Sequence, residues 1–213
     1  MAAKNDLIAQ IVDIEWRMFA SVPNAGGKAA CQEDHHTFEI NRFSQFMSWS
    51  EAALESYLAD LTEAERNGVN LLTQKYARMM KWTSPSEYAL QEHLLPPLDP
   101  EVLPLIDRIV DTVLGWEQAL AEKYPNIIRR GRPLRCSEDT PSVTSLETYL
   151  RGELATYSPR TLRRYYENVL KQKTENVNGS GVTLSHLVVR YGFGSLEDAN
   201  EKLGAQVGTA NGR

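Results

Sequence analysis

The sequence predicts an all-α fold, a single-domain helical bundle of about seven to nine helices, on three observations. Apolar residues recur at three- and four-residue spacing along most of the 213 residues, and no stretch alternates with a period of two. Hydrophobic residues make up 42 % and charged residues 24 %, enough apolar material for a core and a composition unlike that of a disordered chain. Pairs such as Asn67-Gly68, Ser84-Pro85, Asp99-Pro100, Tyr124-Pro125 and Ser158-Pro159 punctuate the periodic stretches where helices start and stop.

The elements follow in order. The first helix spans about Asp6 to Ala20, with Leu7, Ile8, Ile11, Val12, Met18 and Phe19 on one side. Pro23, Gly26 and Gly27 break the chain into a long irregular loop over 21–34. Asp34 then caps a second helix that runs from His35 to about Glu65, and a third covers roughly Val69 to Lys81. Ser84-Pro-Ser-Glu87 is a capping box with proline at the first helical position, and its helix ends at Pro96-Pro97. Asp99-Pro100-Glu101 opens another, which reaches Lys123. An irregular segment over 124–144 follows, then helices at 145–155, 159–173, 184–191 and 196–203. Residues 1–203 form the expected domain, and 204–213 carry no apolar stripe and read as a flexible tail.

Several function classes drop out. No run approaches the 18 apolar residues of a membrane span, and the N-terminal residues lack the apolar block of a signal peptide, so the expected compartment is the cytoplasm. Cys31 and Cys136 form no CxxC and no zinc spacing, and in that compartment are reduced thiols. Asn24-Ala-Gly-Gly-Lys28 lacks the spacing of a phosphate loop and follows a helix, so no nucleotide cofactor motif is present. The net charge of −5 disfavours general nucleic-acid binding. Leu184 to Leu196 has a helix-turn-helix outline, but its second helix, Leu196-Glu-Asp-Ala-Asn-Glu-Lys, is too acidic to enter a groove. That net charge hides a gradient. Residues 1–122 hold 9 Lys/Arg against 19 Asp/Glu, whereas 123–173 hold 11 against 5. The basic stretch either meets an anion or pairs with the acidic half of the chain.

The helical wheels place several carboxylates on faces that should be buried. Glu15 falls among Ile8, Ile11, Val12 and Phe19. The stripe of the second helix, Ile40 to Leu61, continues backward through Glu39 and His36, three residues apart. Glu117 lies within the stripe of Ile106, Val110, Val113 and Leu120, and Glu153 continues that of Leu146, Tyr149 and Leu150. A buried carboxylate must be paired, protonated or bound to a cation. Helical bundles build metal centres from such inward glutamates and histidines, so Glu15, His36, Glu39, Glu117 and Glu153 are candidate ligands of a divalent transition metal: iron, manganese, zinc or nickel. The order His36-Thr-Phe-Glu39 reverses the usual Glu-x-x-His pair. Two alternatives stay open: ion pairs with Arg42, Arg78 or Arg151, and metal-free acid–base chemistry by His36 and a glutamate of raised pKa.

Cys31-Gln-Glu-Asp-His35-His36 is the densest cluster of reactive side chains, making Cys31, His36 and Glu39 the candidate catalytic set. Its opening is echoed by Cys136-Ser-Glu-Asp139, which also precedes a helix. Arg42, Arg78, Arg130 and Arg132 are the candidate grips for a small anionic substrate, since a guanidinium binds carboxylate or phosphate with two parallel bonds. Lys75-Tyr-Ala-Arg-Met-Met80 reads as a packed helix. The strings Cys31-Gln32, Phe38 to Phe46, Lys75 to Met80, Gly131-Arg-Pro133 and Thr148 to Leu154 resemble a bacterial family catalogued only as a domain of unknown function, over about residues 5–203. The resemblance implies a free-standing bacterial cytosolic protein and carries no assigned catalytic residue. The expectation is therefore an enzyme acting on a small anionic metabolite, with divalent-metal dependence, and without nucleic-acid or membrane partners. The alternative is a non-catalytic binding or assembly protein whose glutamates pair with arginines. Four tryptophans and the divided charge also suggest a homodimer.

Overall fold

The computed structural model describes residues 2–24 and 27–210, and side chains over 3–24 and 27–206. Ala25 and Gly26 of the expected loop, and 211–213 of the expected tail, lie outside them. Among the described residues there are eleven α-helices and no β-strand: α1 (Ala2–Ala20), α2 (His35–Met47), α3 (Glu51–Arg66), α4 (Leu71–Thr83), α5 (Pro85–Gln91), α6 (Leu103–Lys123), α7 (Pro125–Ile128), α8 (Leu146–Leu154), α9 (Pro159–Thr174), α10 (Gly179–Arg190) and α11 (Leu196–Ala210). The fold is all-α, and none of these helices is long and apolar enough to cross a membrane.

The count exceeds the expected seven to nine for local reasons. The expected helix over 35–65 divides at Ser48-Trp49-Ser50, because Ser50 accepts a hydrogen bond from the Ala53 amide and starts α3 anew. Its nearly continuous apolar stripe conceals that break. α10 starts at Gly179 rather than 184, since Asn178 caps it by accepting from the Gly181 amide. A Cβ on Gly179 would stand 2.8 Å from Trp116 Cζ3 and 2.7 Å from Gln172 Oε1, so the glycine lets α10 close onto α6 and α9. α11 runs through 204–210, where a frayed tail is expected. Tertiary bonds hold its first part: Asn126 Nδ2 donates to the Asn200 carbonyl at 3.0 Å, and Arg130 donates to the Leu203 carbonyl at 3.4 Å and to Gln206.

The packing forms two groups. α1 lies against α2, α3 and α4; α6 lies against α7, α8, α9 and α10. Three pairings join the groups, α2 with α10, α3 with α9, and α4 with α8. One hydrophobic core runs through both, from Ile8, Ile11 and Phe19 in α1 through Phe46, Trp49 and Tyr57 to Ile109, Leu114 and Leu162. Trp49, at the α2–α3 break, stacks on Tyr165 of α9 with ring centroids 4.3 Å apart. The break is thus a core position.

The segment before α8 is irregular but tied down. Asp139 accepts from the Ser145 amide at 2.5 Å and from the Thr148 hydroxyl, while Leu146 N donates to the Pro133 carbonyl at 2.8 Å. The echo between the two cysteine strings has a structural counterpart. Each forms a 3-10 turn, Ala30–Gln32 and Cys136–Glu138, ahead of an aspartate that accepts backbone amides at a helix start.

The α4–α8 contact is a close one. A Cβ on Gly152 would lie 2.6 Å from Met79 Cγ and 3.0 Å from the Lys75 carbonyl oxygen. Gly152→Ala therefore forces the two helices apart. The expected cost is about 1–3 kcal/mol, read in urea unfolding as a lower midpoint at unchanged slope.

Candidate functional site

Glu15 is entirely buried on the core face of α1, between Ile11 and Phe19. Its partner comes from α2. That helix turns Ile40, Arg42, Ser44 and Phe46 inward rather than His36 and Glu39, and Arg42 is 6 % exposed. Arg42 Nε donates to Glu15 Oε2 at 2.7 Å, and its Nη2 donates to Glu15 Oε1, a two-bond grip that matches guanidinium to carboxylate geometry. Its remaining nitrogen, Nη1, donates to Glu153 Oε1 at 3.1 Å and to Gln45 Oε1 at 2.7 Å.

Glu153 sits on α8, 3 % exposed, and receives Lys75 Nζ from α4 at 2.5 Å. Tyr57 and Tyr157 close the outer lone pairs, donating at 2.7 Å to Glu15 and to Glu153 respectively. Gln45 Nε2 adds a bond of 3.0 Å to Glu153. Two carboxylates thus face one guanidinium and one ammonium, and the sum of the four charges is zero. Burial works to raise the Glu153 carboxyl, but the charges of Arg42 and Lys75, with the Lys75 and Tyr157 hydrogen bonds, outweigh it and hold it well below the usual carboxylate range. Two rings complete the enclosure, Phe46 beneath the Arg42 guanidinium at 4.8 Å and Tyr149 beneath Lys75 Nζ at 3.5 Å.

Above this network opens a cavity of about 470 Å³, in the range that holds a small organic ligand. Arg42, Gln45 and Glu153 form part of its floor; Phe38, Tyr76, Tyr149, Trp116 and Tyr165 supply aromatic wall. Cys31, Asp34 and Arg132 line it from the loops, and Glu117, Ser180 and Thr183 from α6 and α10. Arg132 lies over the Tyr149 ring at 4.7 Å and donates to the Thr144 carbonyl at 3.1 Å, so the ordered segment before α8 sets its position. Burial pushes the Glu117 carboxyl above the usual range, with a hydrogen bond from Ser180 acting in the opposite sense.

The expected site residues therefore divide. Glu15, Arg42 and Glu153 meet in the buried network; Cys31, Arg42, Glu117, Arg132 and Glu153 line the cavity. His36 is exposed and Glu39 half-buried, and neither joins those groups, because the break at Ser48-Trp49-Ser50 keeps the stripe of α3 from extending back through α2. Arg78 turns to the Pro96 carbonyl at 2.7 Å, and Arg130 is taken up by α11. Among the described residues no three His, Cys, Asp or Glu side chains are grouped to hold a metal ion. Glu15 and Glu153 are both held on Arg42 instead. Of the ion-pair partners considered from sequence, Arg151 bonds Asp107 at 2.6 Å, outside both groups.

Lys75, Gln45, Tyr57 and Tyr157 were not singled out by the sequence. Lys75 carried a signal, since it falls four residues from both Leu71 and Met79 on the apolar face of α4. Gln45 and the tyrosines carried none, because glutamine and tyrosine are ordinary at half-buried positions.

Glu153→Gln leaves Arg42 and Lys75 with one carboxylate between them and is expected to cost about 3–5 kcal/mol in urea unfolding at neutral pH. Adding Lys75→Met restores neutrality and should recover part of that loss, a coupling the double-mutant cycle measures directly. The pH dependence follows from the depressed Glu153 carboxyl. Its contribution is complete above the unfolded carboxylate range, about 4.3, and fades as pH falls below it, so the double variant has a flatter acid limb than the wild type. Chelator should leave the melting temperature unchanged, because the network is neutralised by its own side chains; a fall of several degrees would place a cation in the core.

No curated protein and no solved structure matches this chain. Residues 5–201 match the family described as Protein of unknown function (DUF4125). With nearly the whole chain matched, including every helix of the network and of the cavity, the protein belongs to that family.

Proposed function

We propose that this protein binds a small organic anion in the cavity between its two helix groups, with Arg132 receiving the anionic group. One observation carries the reading. Two guanidinium groups line the cavity, and they differ in what they have left to offer: Arg42 has most of its donors on Glu15, Glu153 and Gln45, whereas Arg132 has a single backbone carbonyl and no carboxylate partner among the described residues. The Tyr149 ring beneath it orders the guanidinium while leaving its outer donors for a ligand. The aromatic wall accounts for a flat or apolar ligand body, and the volume suits a metabolite rather than a peptide.

The network below has a positioning role in this reading. It holds α1, α2, α4 and α8 in register, so the floor is formed before a ligand arrives. Cys31 lines the cavity and stays a candidate for contact with the ligand. His36 and Glu39 take no part. Transition-metal dependence, the other expectation from sequence, is checked by elemental analysis of protein purified without a tag or chelator. The proposal places the protein in the cytoplasm.

Aromatic carboxylates such as para-methylbenzoate should raise the melting temperature of the wild type in a concentration-dependent way. Arg132→Ala should weaken that binding about tenfold or more at unchanged stability without ligand. Thr183→Phe, which fills the cavity from α10, should abolish it. Equal binding to wild type and both variants would refute the assignment of the cavity.

A further inference from the structure

The charges on the cavity wall leave a remainder of two. Arg42 and Glu153 belong to the neutral buried network. Asp34 is exposed to solvent and caps α2, accepting from the Thr37 amide at 3.0 Å. What is left is Arg132, from the segment before α8, and Glu117, from the middle of α6. They carry opposite charges, yet among the described residues neither of them forms an ion pair. Ser180 supplies one hydrogen bond to a carboxylate that can accept about four.

We propose that the ligand of this cavity is a zwitterion, with Arg132 receiving its anionic group and Glu117 receiving a protonated nitrogen. The proposal rests on the reading of the cavity as the site of a small organic anion and adds the second charge to it. Two unmatched charges of opposite sign in one cavity, one over Tyr149 of α8 and the other on α6, are complementary to a molecule that carries both. Half-burying a carboxylate without a cation has a cost, and an ammonium group delivered by the ligand removes it at the moment of binding. The elevated Glu117 carboxyl in the ligand-free protein is consistent with this, since it registers burial without a cation. Trp116 and Tyr165 line the same cavity, and an aromatic ring there can further stabilise a cationic nitrogen. Gly179 contributes by absence: without a Cβ it admits Trp116 and Gln172, so the first turn of α10 seats Ser180 beside Glu117.

The test uses three probes that share one aromatic body. These are para-(aminomethyl)benzoate with both charges, para-methylbenzoate with the anion alone, and para-methylbenzylamine with the cation alone. They are titrated calorimetrically into the full chain, its Arg132→Ala form and its Glu117→Gln form. The expected result is that wild type binds the zwitterion about tenfold tighter than either singly charged probe. Glu117→Gln should erase the advantage over para-methylbenzoate and leave that probe's own affinity intact, while Arg132→Ala should erase the advantage over para-methylbenzylamine. If wild type binds para-methylbenzoate as tightly as the zwitterion, the role of Glu117 is overturned and the anion site stands. If the amine binds but para-methylbenzoate does not, the anion site is overturned. If none of the three binds, both fall. The wild-type comparison decides the matter even where a variant folds poorly.

Discussion

Arg42 is the residue on which the architecture converges. Among the described residues its guanidinium is the only group that hydrogen-bonds both buried carboxylates, and these come from opposite helix groups, Glu15 from α1 and Glu153 from α8. Around it, every helix of the first group supplies at least one member of the network: Glu15 from α1, Arg42 and Gln45 from α2, Tyr57 from α3 and Lys75 from α4. The second group answers with Glu153 and, just beyond α8, Tyr157. An apolar core is non-directional and tolerates sliding of helices against one another. A network of this kind specifies angle and register, because each misplacement would leave a charge unpaired where water cannot compensate it. Its members gain little net stability from one another compared with well-packed apolar groups, but removing one is severe.

The same network explains why the cavity is polar at its floor yet has little charge to offer a ligand. Arg42 and Glu153 are visible from the cavity, but their bonding capacity is largely spent below it. The groups with capacity to spare stand higher, on a loop and on α6. Gln45 and Tyr149 line the cavity and also touch the network, Gln45 by its bond to Glu153 and Tyr149 by its ring against Lys75. Tyr149 serves both, with Lys75 and Arg132 each placed over its ring.

The charge gradient along the chain plays a smaller part than its size suggests. The Arg151–Asp107 pair does join the basic segment to the acidic half. The buried pairs run the other way: Arg42 and Lys75 come from the acidic half, and the carboxylate they share, Glu153, from the basic segment. Block charge describes a surface average, whereas a buried pair is selected one residue at a time by the face on which it falls.

Helical class, most helix starts and the inward placement of Glu15 and Glu153 were legible in the sequence, because each depends on a period of 3.6 residues and on caps that act within four residues. The face of α2 was not. Ser48-Trp49-Ser50 resets the helical phase, and a wheel carried across that break turned His36 and Glu39 inward in place of Arg42. Nor could the wheel say what a buried glutamate meets. A helix determines which of its own side chains face inward, and from that alone a carboxylate opposite a metal and one opposite an arginine are identical. The choice was made by α2, whose Arg42 lies 27 residues from one carboxylate and 111 from the other and delivered its guanidinium to both. Local periodicity determined that charges would be buried; only the packing of α1, α2, α4 and α8 decided that they would neutralise one another, and that Glu117 and Arg132 would not.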